Sequence, residues 1–490
     1  MPFYERLGAL DASFLGLEDA NNHMHVGGVL LLDEKPLRSE RGGLDIDRIR
    51  STIESRLGRV PRFRQKLSVI PGEGHPIWVD DPRFNIAYHV RHSALPRPGD
   101  MEVLKALVGR IMSQQLDRGK PLWEMWFVEG LENDRLALIT KTHHCMIDGV
   151  AAAELISVLL DPAENVTPVA STAWRPRPAP SAGRLVTDAL FHRAVQPFEA
   201  WQALQQAWAD PGQATHAIRE AALGLAEVFS PSFHSASKTP LNRQLGPHRC
   251  FEMIEHSVGD YKRVKDLLGG TLNDVVLATV AGALRGFLSK RGLDVDHLEV
   301  RAMVPVSVRA KQGSGALGNQ ITQMVAHLPI NLAEPEERLA AVRKTMGELK
   351  ESKQALGGRV LTAVAEWTVP NVLVQAVRMT VRSRPYTLVV TNVPGPQIPL
   401  YLLGSRMRAS YPVAPLTPGQ ALNVALFSYD GGLYWGLNAD WDALPDLPVL
   451  ADQIRYAFGE LQAAAEHLAQ SASERLLIRR KPKTAPNSGA

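Results

Sequence analysis

The clearest chemistry in this chain lies in a seven-residue run, His143-His144-Cys145-Met146-Ile147-Asp148-Gly149. An imidazole with an unperturbed pKa of about 6.5 can take up and return a proton near neutral pH. Asp148 can cap a helix, because its carboxylate accepts a hydrogen bond from a first-turn N–H group. Gly149 leaves room for a close approach of backbone or ligand. The run therefore indicates a general base held beside the start of a helix.

The neighbouring sequence predicts the elements that position this base. Residues 136–142 form an apolar run typical of a strand, and residues 149–160 have the composition of a helix. A histidine at the end of a strand is held rigidly and can face a cleft. Two alternatives are a histidine pair packed in a turn and a metal site. The metal site is disfavoured, because adjacent strand residues point to opposite faces and no third ligand cluster stands nearby.

The pattern HHxxxDG resembles the motif of the CoA-dependent acyltransferases. In that superfamily the second histidine removes the proton from the acceptor hydroxyl or amine. The resemblance therefore makes His144 the proton acceptor and His143 a supporting residue. It gives Asp148 a structural role, holding the loop through a salt bridge, and makes Gly149 part of the motif.

Further motifs along the chain narrow the family. They are Leu10-Asp-Ala-Ser-Phe-Leu15, Asn22-His-Met-His-Val-Gly-Gly-Val29, Pro121-Leu-Trp123, Leu272-Asn-Asp274, Val304-Pro-Val-Ser-Val-Arg309 with Gly318-Asn-Gln320, and Asn392-Val-Pro-Gly-Pro396. With HHCMIDG, this set resembles the bacterial wax ester synthase/diacylglycerol acyltransferase (WS/DGAT) family over roughly residues 7–468. HHxxxDG alone is shared with peptide-synthetase condensation domains and polyketide-associated acyltransferases, so the other motifs carry the specificity.

Some of these residues are candidates for substrate binding. The resemblance places Pro121, Leu122 and Trp123 near the acyl channel, and a packing corner is the alternative. Asn273 could orient an active-site group. Asn392 is a candidate to hydrogen-bond an acyl or acceptor oxygen.

Other motif residues have structural interpretations. Thr271 and Asp274 have the spacing of a capping box, with Asp in place of the usual Glu or Gln. Arg309 is the expected partner of Asp148, since a guanidinium can bind a carboxylate through two hydrogen bonds. The run 392–396 predicts a rigid turn in which proline fixes φ and glycine permits a positive φ.

The chain, at 490 residues, exceeds the ~250–300 residues of a usual single core, so two domains are expected. The predicted divisions are an N-terminal acyltransferase domain (1–161), a linker and helical connection (162–246), a C-terminal acyltransferase-like domain (247–468) and a basic tail (469–490) expected to be disordered. The resemblance implies an α/β fold. It has two chloramphenicol-acetyltransferase-like domains, each a mixed sheet flanked by helices, with an active-site channel between them and His144 at its middle.

Composition excludes several classes of protein. A net charge of +3 is too small to indicate nucleic-acid binding, and the two cysteines, Cys145 and Cys250, cannot form a disulfide framework. The start lacks an apolar signal segment. The most apolar stretch, 360–377, contains a glutamate and a proline, which disfavours a membrane span. Residues 371–381 are expected to pack in the core, and an interfacial helix on a membrane surface is the alternative. Because the resemblance implies substrates that reside in lipid and no membrane span is predicted, we expect a cytoplasmic protein that is peripheral to the inner membrane or to lipid bodies.

The family resemblance implies transfer of a long-chain acyl group from acyl-CoA to diacylglycerol, forming triacylglycerol. Long-chain fatty alcohols are a second acceptor class and would give wax esters. Acyl-CoA is a substrate, and no permanently bound cofactor or metal is expected. The alternatives are another HHxxxDG acyltransferase, of the condensation or polyketide-associated type, and a catalytically degenerate paralogue that binds lipid surfaces.

Overall fold

A computed structural model describes residues 3–146, 159–165, 174–191, 236–307, 321–351 and 386–480. Asp148, Gly149, Arg309 and the segment 371–381 lie outside the described residues, and what the sequence predicts for them stays a prediction.

The described strands and helices are as follows. The strands are β1 (Glu5–Arg6), β2 (His25–Asp33), β3 (Gln65–Val69), β4 (Pro76–Asp80), β5 (Val90–Ala94), β6 (Trp123–Leu131), β7 (Arg135–His143), β8 (Arg249–Ser257), β9 (Val300–Ser307), β10 (Ile321–Leu328), β11 (Leu388–Pro394), β12 (Tyr401–Leu402), β13 (Ser405–Val413), β14 (Leu422–Tyr429) and β15 (Gly432–Asp440). The helices are α1 (Ala9–Leu17), α2 (Ile46–Arg56), α3 (Ile86–His89), α4 (Met101–Met112), α5 (Val258–Leu268), α6 (Leu272–Lys290), α7 (Pro335–Glu351) and α8 (Leu447–Arg480).

The first large sheet has six strands in the order β12-β13-β2-β7-β6-β5. Its pairs are antiparallel, except for the parallel pair β5–β6. Strand β7 lies between β2 and β6, with His143 opposite His25 on one side. The expectation of a strand that leads into the histidine pair is confirmed, since β7 ends at His143.

The second large sheet has the order β10-β9-β11-β14-β15-β8 and contains the parallel pairs β9–β11 and β11–β14. Helices α5–α8 pack together beside it, and α6 has its most extensive helix contact with α8. The capping box that opens α6 is confirmed: Asp274 N–H donates to the Thr271 hydroxyl, and the Asp274 carboxylate accepts from the Thr271 N–H at 2.7 Å. Two mixed sheets with flanking helices confirm the expected α/β fold class.

Helix α6 is, among the described residues, the one helix long and apolar enough to cross a membrane by length and composition. Within its apolar window, 67% of the residues are buried inside the protein, as expected of a core helix. Its apolar side chains belong to the core of the second sheet.

The predicted domain boundaries do not match the sheets. Strands β12 and β13 (401–413) come from the predicted C-terminal domain, yet β13 pairs with β2 and completes the first sheet. Phe251 and Met253 of β8 also belong to the core of the first sheet. At the C-terminal end, α8 continues to Arg480, so the helix includes residues 469–480 of the segment for which the sequence predicts disorder. The C-terminal half therefore contributes strands and core residues to the first sheet.

Gly436 of β15 lies where the two large sheets touch. A methyl group at this position would overlap the carbonyl oxygen of Pro412 in β13. The close approach of two backbones, and not an unusual φ angle, therefore requires glycine here. The contact joins a strand of the second sheet to the strand that completes the first.

We predict that Gly436→Ala destabilises the protein by about 1–3 kcal/mol, because overpacking forces the two strands apart. Thermal unfolding of the purified variant measures this as a lower Tm. Gly459→Ala is the matched control: Gly459 is exposed on α8 and a methyl group there would meet no atom within 4 Å, so the control is expected to melt like the wild type or slightly higher. Equal Tm values for the two variants would contradict a close contact between Gly436 and Pro412 that requires glycine.

Candidate active site

The backbone of the histidine pair is anchored to both neighbouring strands. The N–H of His143 donates to the carbonyl of Leu122 at 2.9 Å, just before β6. The N–H of His144 donates to the carbonyl of Met24 at 2.7 Å, just before β2. His144 then begins a short 3-10 helix, His144–Met146. The change from strand to helix between the two histidines gives their side chains different surroundings.

The imidazole of His144 is partly buried and packs against the ring of Phe14 on α1, with ring centroids 4.1 Å apart. Burial lowers the pKa of His144 to about 4; an interaction with its own backbone opposes this shift, and the nearby His143 adds to it. The imidazole is therefore neutral at pH 7 and can accept a proton. This is the state that a general base requires.

His143 is almost fully buried, with 1% of its surface exposed. Its Nδ1 accepts a hydrogen bond from the N–H of Cys145 at 3.1 Å. In a neutral imidazole, this places the ring proton on Nε2. That atom lies 3.7 Å from Oε2 of Glu18, too far for a direct hydrogen bond but close enough for electrostatic coupling. His143 thus holds the turn that carries His144, and its supporting role in catalysis stays a prediction.

Glu18, which follows α1, is a site residue that sequence analysis missed. Arg118 Nε donates to Glu18 Oε2 at 3.0 Å. The other carboxylate oxygen, Oε1, lies 3.8 Å from His25 Nε2 and 3.9 Å from His23 Nδ1. Burial alone would raise the pKa of Glu18, but the interactions with His143 and Arg118 outweigh it and lower the pKa to about 2. A permanently ionised carboxylate therefore lies beside the motif.

His23 and His25 were within reach of sequence reasoning. They alternate with Met24 immediately before and at the start of β2, a spacing that puts two side chains on one face of an extended chain. Burial is the largest cause that lowers the pKa of both residues, and the effect is strongest for His25. No such signal marks Glu18, because a lone glutamate after a helix is ordinarily a solvated residue.

Residues from the second half of the chain also bind the segment that joins Glu18 to β2. Arg249 of β8 donates to the carbonyl of Asn21, and the Asn21 amide donates to the carbonyl of Leu245 at 3.1 Å. Arg249 is itself buried and paired with Asp440 at 3.4 Å. The surroundings of the histidine pair are thus built from both halves.

Cys145 is not arranged as a nucleophile. It is buried, and burial raises the pKa of its thiol well above the usual range. A thiol in this state holds almost no thiolate at neutral pH, and the thiolate is the reactive form. Its backbone N–H, which binds His143, is the part of Cys145 that contributes to the site.

The structure places the Pro121-Leu-Trp123 motif in the core. Leu122 and Trp123 are 0% exposed. The Trp123 indole donates to the carbonyl of Phe63 at 2.8 Å and stacks on the His89 ring with centroids 4.5 Å apart. This is the packing alternative, and the motif supports the site through the Leu122 carbonyl that binds His143. Contact with substrate would require these side chains to become exposed.

The two candidate asparagines belong to the second sheet and its helices. Asn273 lies in the first turn of α6 and Asn392 lies in β11; both are partly buried. Among the described residues, no hydrogen bond or ring contact joins either side chain to the histidine pair. Their substrate-binding roles stay predictions.

The prediction that residues 392–396 form a turn with a positive φ at glycine is wrong. Strand β11 continues to Pro394, and Gly395 does not adopt a positive φ. A side chain at Gly395 would collide with the Phe427 ring and the Ser428 carbonyl. Glycine is therefore needed for close packing against β14, not for a left-handed turn.

In the part of the chain that the structure describes, no group of three or more His, Cys, Asp or Glu side chains is arranged to hold a metal ion. The carboxylate nearest the histidines is engaged by Arg118. What the arrangement offers is a neutral imidazole for proton transfer.

Comparison with solved structures defines the class. The first condensation domain of the calcium-dependent antibiotic synthetase matches with a TM-score of 0.59 over 94% of this chain and 97% of that one, at 17% identity, which shows the fold alone. The wax ester synthase/diacylglycerol acyltransferase from Marinobacter aquaeolei matches with a TM-score of 0.66 over 94% of this chain and 100% of that one, at 26% identity. The protein thus has the condensation-like fold that HHxxxDG acyltransferases use.

Sequence comparison gives the family. The model for the wax ester synthase/diacylglycerol acyltransferase catalytic domain matches residues 7–276, and the model for the WS/DGAT C-terminal domain matches residues 317–462. A probable diacylglycerol O-acyltransferase of Mycobacterium tuberculosis, tgs1, is 34% identical over 94% of this chain and 96% of its own length. A second probable diacylglycerol O-acyltransferase of the same organism, tgs2, is 32% identical over 93% of this chain and 98% of its own length. The chain belongs to the WS/DGAT family of acyltransferases.

The lowered pKa of His144 predicts the pH dependence of catalysis. Only the neutral imidazole accepts a proton, so kcat/KM is expected to stay level above about pH 5 and to fall as the pH drops through about 4. An unperturbed histidine would lose activity below about pH 6.5. A pH–rate profile tests this, with circular dichroism at each pH to confirm folding. An acid limb centred near pH 6.5 in folded protein would contradict the assignment.

Proposed function

We propose that this protein transfers a long-chain acyl group from acyl-CoA to the free hydroxyl of diacylglycerol, forming triacylglycerol. The observation that carries the proposal is His144, a neutral histidine fixed directly after β7 in a WS/DGAT family chain. The names of the relatives as diacylglycerol O-acyltransferases support diacylglycerol as the main acceptor.

The proposed reaction needs one base and no permanently bound cofactor. His144 takes the proton from the acceptor hydroxyl while the oxygen attacks the thioester carbonyl carbon, forming the new C–O bond. The tetrahedral intermediate then collapses, the C–S bond breaks, and the proton on His144 passes to the thiolate to give free CoA. General base catalysis of this kind contributes about 10²–10⁴-fold. Positioning of the two substrates and stabilisation of the oxyanion supply the rest.

Long-chain fatty alcohols are the second proposed acceptor, giving wax esters. The same proton transfer serves any aliphatic hydroxyl, and the family description includes wax ester synthase. Discrimination between apolar chains in a hydrophobic site amounts to only about 1–3 kcal/mol per methylene. One site can therefore accept both substrates at different rates.

His144→Ala is expected to lower ester formation by about 10²–10⁴-fold, because the proton acceptor is removed. Purified protein is assayed with radiolabelled palmitoyl-CoA against diacylglycerol and hexadecanol in parallel, and melting temperatures confirm folding. His297→Ala is the matched control, since His297 is an exposed surface histidine, and it should keep wild-type rates. Full turnover in His144→Ala would refute the assignment, and transfer to amines but not to alcohols would favour a condensation-type enzyme.

We further propose that the protein is cytoplasmic and binds membranes or lipid inclusions reversibly. Its proposed acceptors reside in lipid, and the basic residues near the C-terminal end provide an electrostatic contact. These are Arg475, Arg479, Arg480, Lys481 and Lys483, beside a single acid, Glu474. Each basic residue near an anionic leaflet can contribute about 1 kcal/mol.

Co-sedimentation with vesicles that contain anionic lipid tests this contact. Binding is expected at low salt, with loss at high salt and in a Lys481→Glu, Lys483→Glu double variant, because both changes weaken attraction to the lipid head groups. Vesicles of neutral lipid serve as the control. Unchanged binding by the double variant would contradict an electrostatic contact through Lys481 and Lys483.

A further inference from the structure

The segment from Phe14 to His25 encloses the histidine pair from several sides. Phe14 stacks on His144, the Met24 carbonyl accepts from the His144 N–H, and Glu18 faces His143. The first two contacts are ordinary packing and backbone pairing. Glu18 is different, because it brings a buried negative charge next to the buried imidazole of His143.

Burial of the Glu18 carboxylate costs free energy. Its side chain is 1% exposed, and Oε1 has no hydrogen-bond partner among the described residues. Burying a charge costs free energy unless it is paired and hydrogen-bonded. Arg118 supplies the pairing, and it also donates to the carbonyl of Leu15 in the last turn of α1 at 3.1 Å. The end of α1 and the carboxylate are thus fixed together.

The carboxylate and the turn are connected through His143. Because Nδ1 of His143 accepts from the Cys145 N–H, the ring proton of the neutral imidazole lies on Nε2, the atom that faces Glu18 Oε2. A negative charge there favours this tautomer and ring orientation. The opposite tautomer would put a proton on Nδ1 against the Cys145 N–H, and the turn that begins at His144 would lose its hydrogen bond.

We propose that Glu18 is a positioning residue for acyl transfer: held by Arg118, it fixes the tautomer and ring orientation of His143, which in turn holds the His144–Met146 turn in place. This role rests on the proposed function of His144 as the base. The chain of contacts runs from Arg118 to Glu18, from Glu18 to His143, and from His143 to the Cys145 N–H. The first histidine of the HHxxxDG motif is thereby assigned a partner, the residue that follows α1.

The effect of Glu18 on catalysis is expected in kcat. Misplacement of a reacting group by about 1 Å can cost about 10²-fold in rate. Binding of acyl-CoA does not depend on the tautomer of a buried histidine, so the KM should change little. A general loss of structure would instead lower the melting temperature and the amount of active protein.

The experiment compares Glu18→Gln, His143→Asn and the double variant in full-length protein. Glutamine keeps the shape of Glu18 and removes its charge. Asparagine can keep an acceptor for the Cys145 N–H but has no proton donor at the Nε2 position. Glu34→Gln is the control, since Glu34 is also a buried carboxylate paired with an arginine (Arg38 Nε at 3.1 Å), at the far end of β2.

Glu18→Gln is expected to lower kcat by about 10- to 100-fold with little change in KM, and Glu34→Gln to leave both unchanged. Because Glu18 acts through His143, the double variant should lose no more than His143→Asn alone. Wild-type kcat in Glu18→Gln, or losses that multiply in the double variant, would overturn the proposal. If Glu18→Gln does not fold, wild-type kcat in His143→Asn would overturn it and a comparable loss would support it.

A spectroscopic measurement separates this proposal from the proposed function. Nitrogen-15 NMR of labelled histidine should show His143 protonated on Nε2 in the wild type and a mixture of tautomers in Glu18→Gln. Absence of wild-type acyl transfer would refute the proposed function while leaving this measurement to decide the role of Glu18. An unchanged tautomer in Glu18→Gln would refute the positioning role even where acyl transfer is confirmed.

Discussion

The position of β7 between β2 and β6 is the constraint on which the site depends. Hydrogen bonds from the backbones of His143 and His144 reach carbonyls at the starts of β6 and β2, so both neighbouring strands fix the end of β7. Slipping the register by one residue would turn every side chain of β7 to the opposite face. The side chains from Leu136 to Ile139 are fully buried on both faces, so such a slip would force each of them to repack against the opposite core layer. The core of the first sheet thereby sets the location of the base.

Two adjacent histidines do different work because the chain changes conformation between them. His143 is the last residue of a strand and lies buried beside a carboxylate. His144 begins a 3-10 helix and keeps part of its surface exposed. Burial keeps His144 neutral, which makes it ready to accept a proton but also a weaker base. The site must then rely on precise placement of the acceptor, which explains why so many contacts secure the turn.

The sequence predicted the local features of this site and missed those that depend on distant residues. The strand before His143 and the capping box at Asp274 follow from patterns within a few residues, and both are confirmed. The contribution of residues 401–413 to the first sheet depends on a pairing across most of the chain, which no local pattern reports. Glu18 was missed for the same reason: its partners Arg118 and His143 are 100 and 125 positions away, and only the fold brings them together.

The contribution of β12 and β13 to the first sheet has a functional consequence. The first sheet is complete only when β13 pairs with β2, the strand that also faces β7 and the histidines. Arg249 of the second half binds the carbonyl of Asn21, within the loop that joins Glu18 to β2. A domain boundary near residue 161 would therefore cut through the support of the base. Residues 1–161 alone lack the strand at the edge of β2 and the arginine that holds the loop, so the base needs both halves of the chain to stay in place.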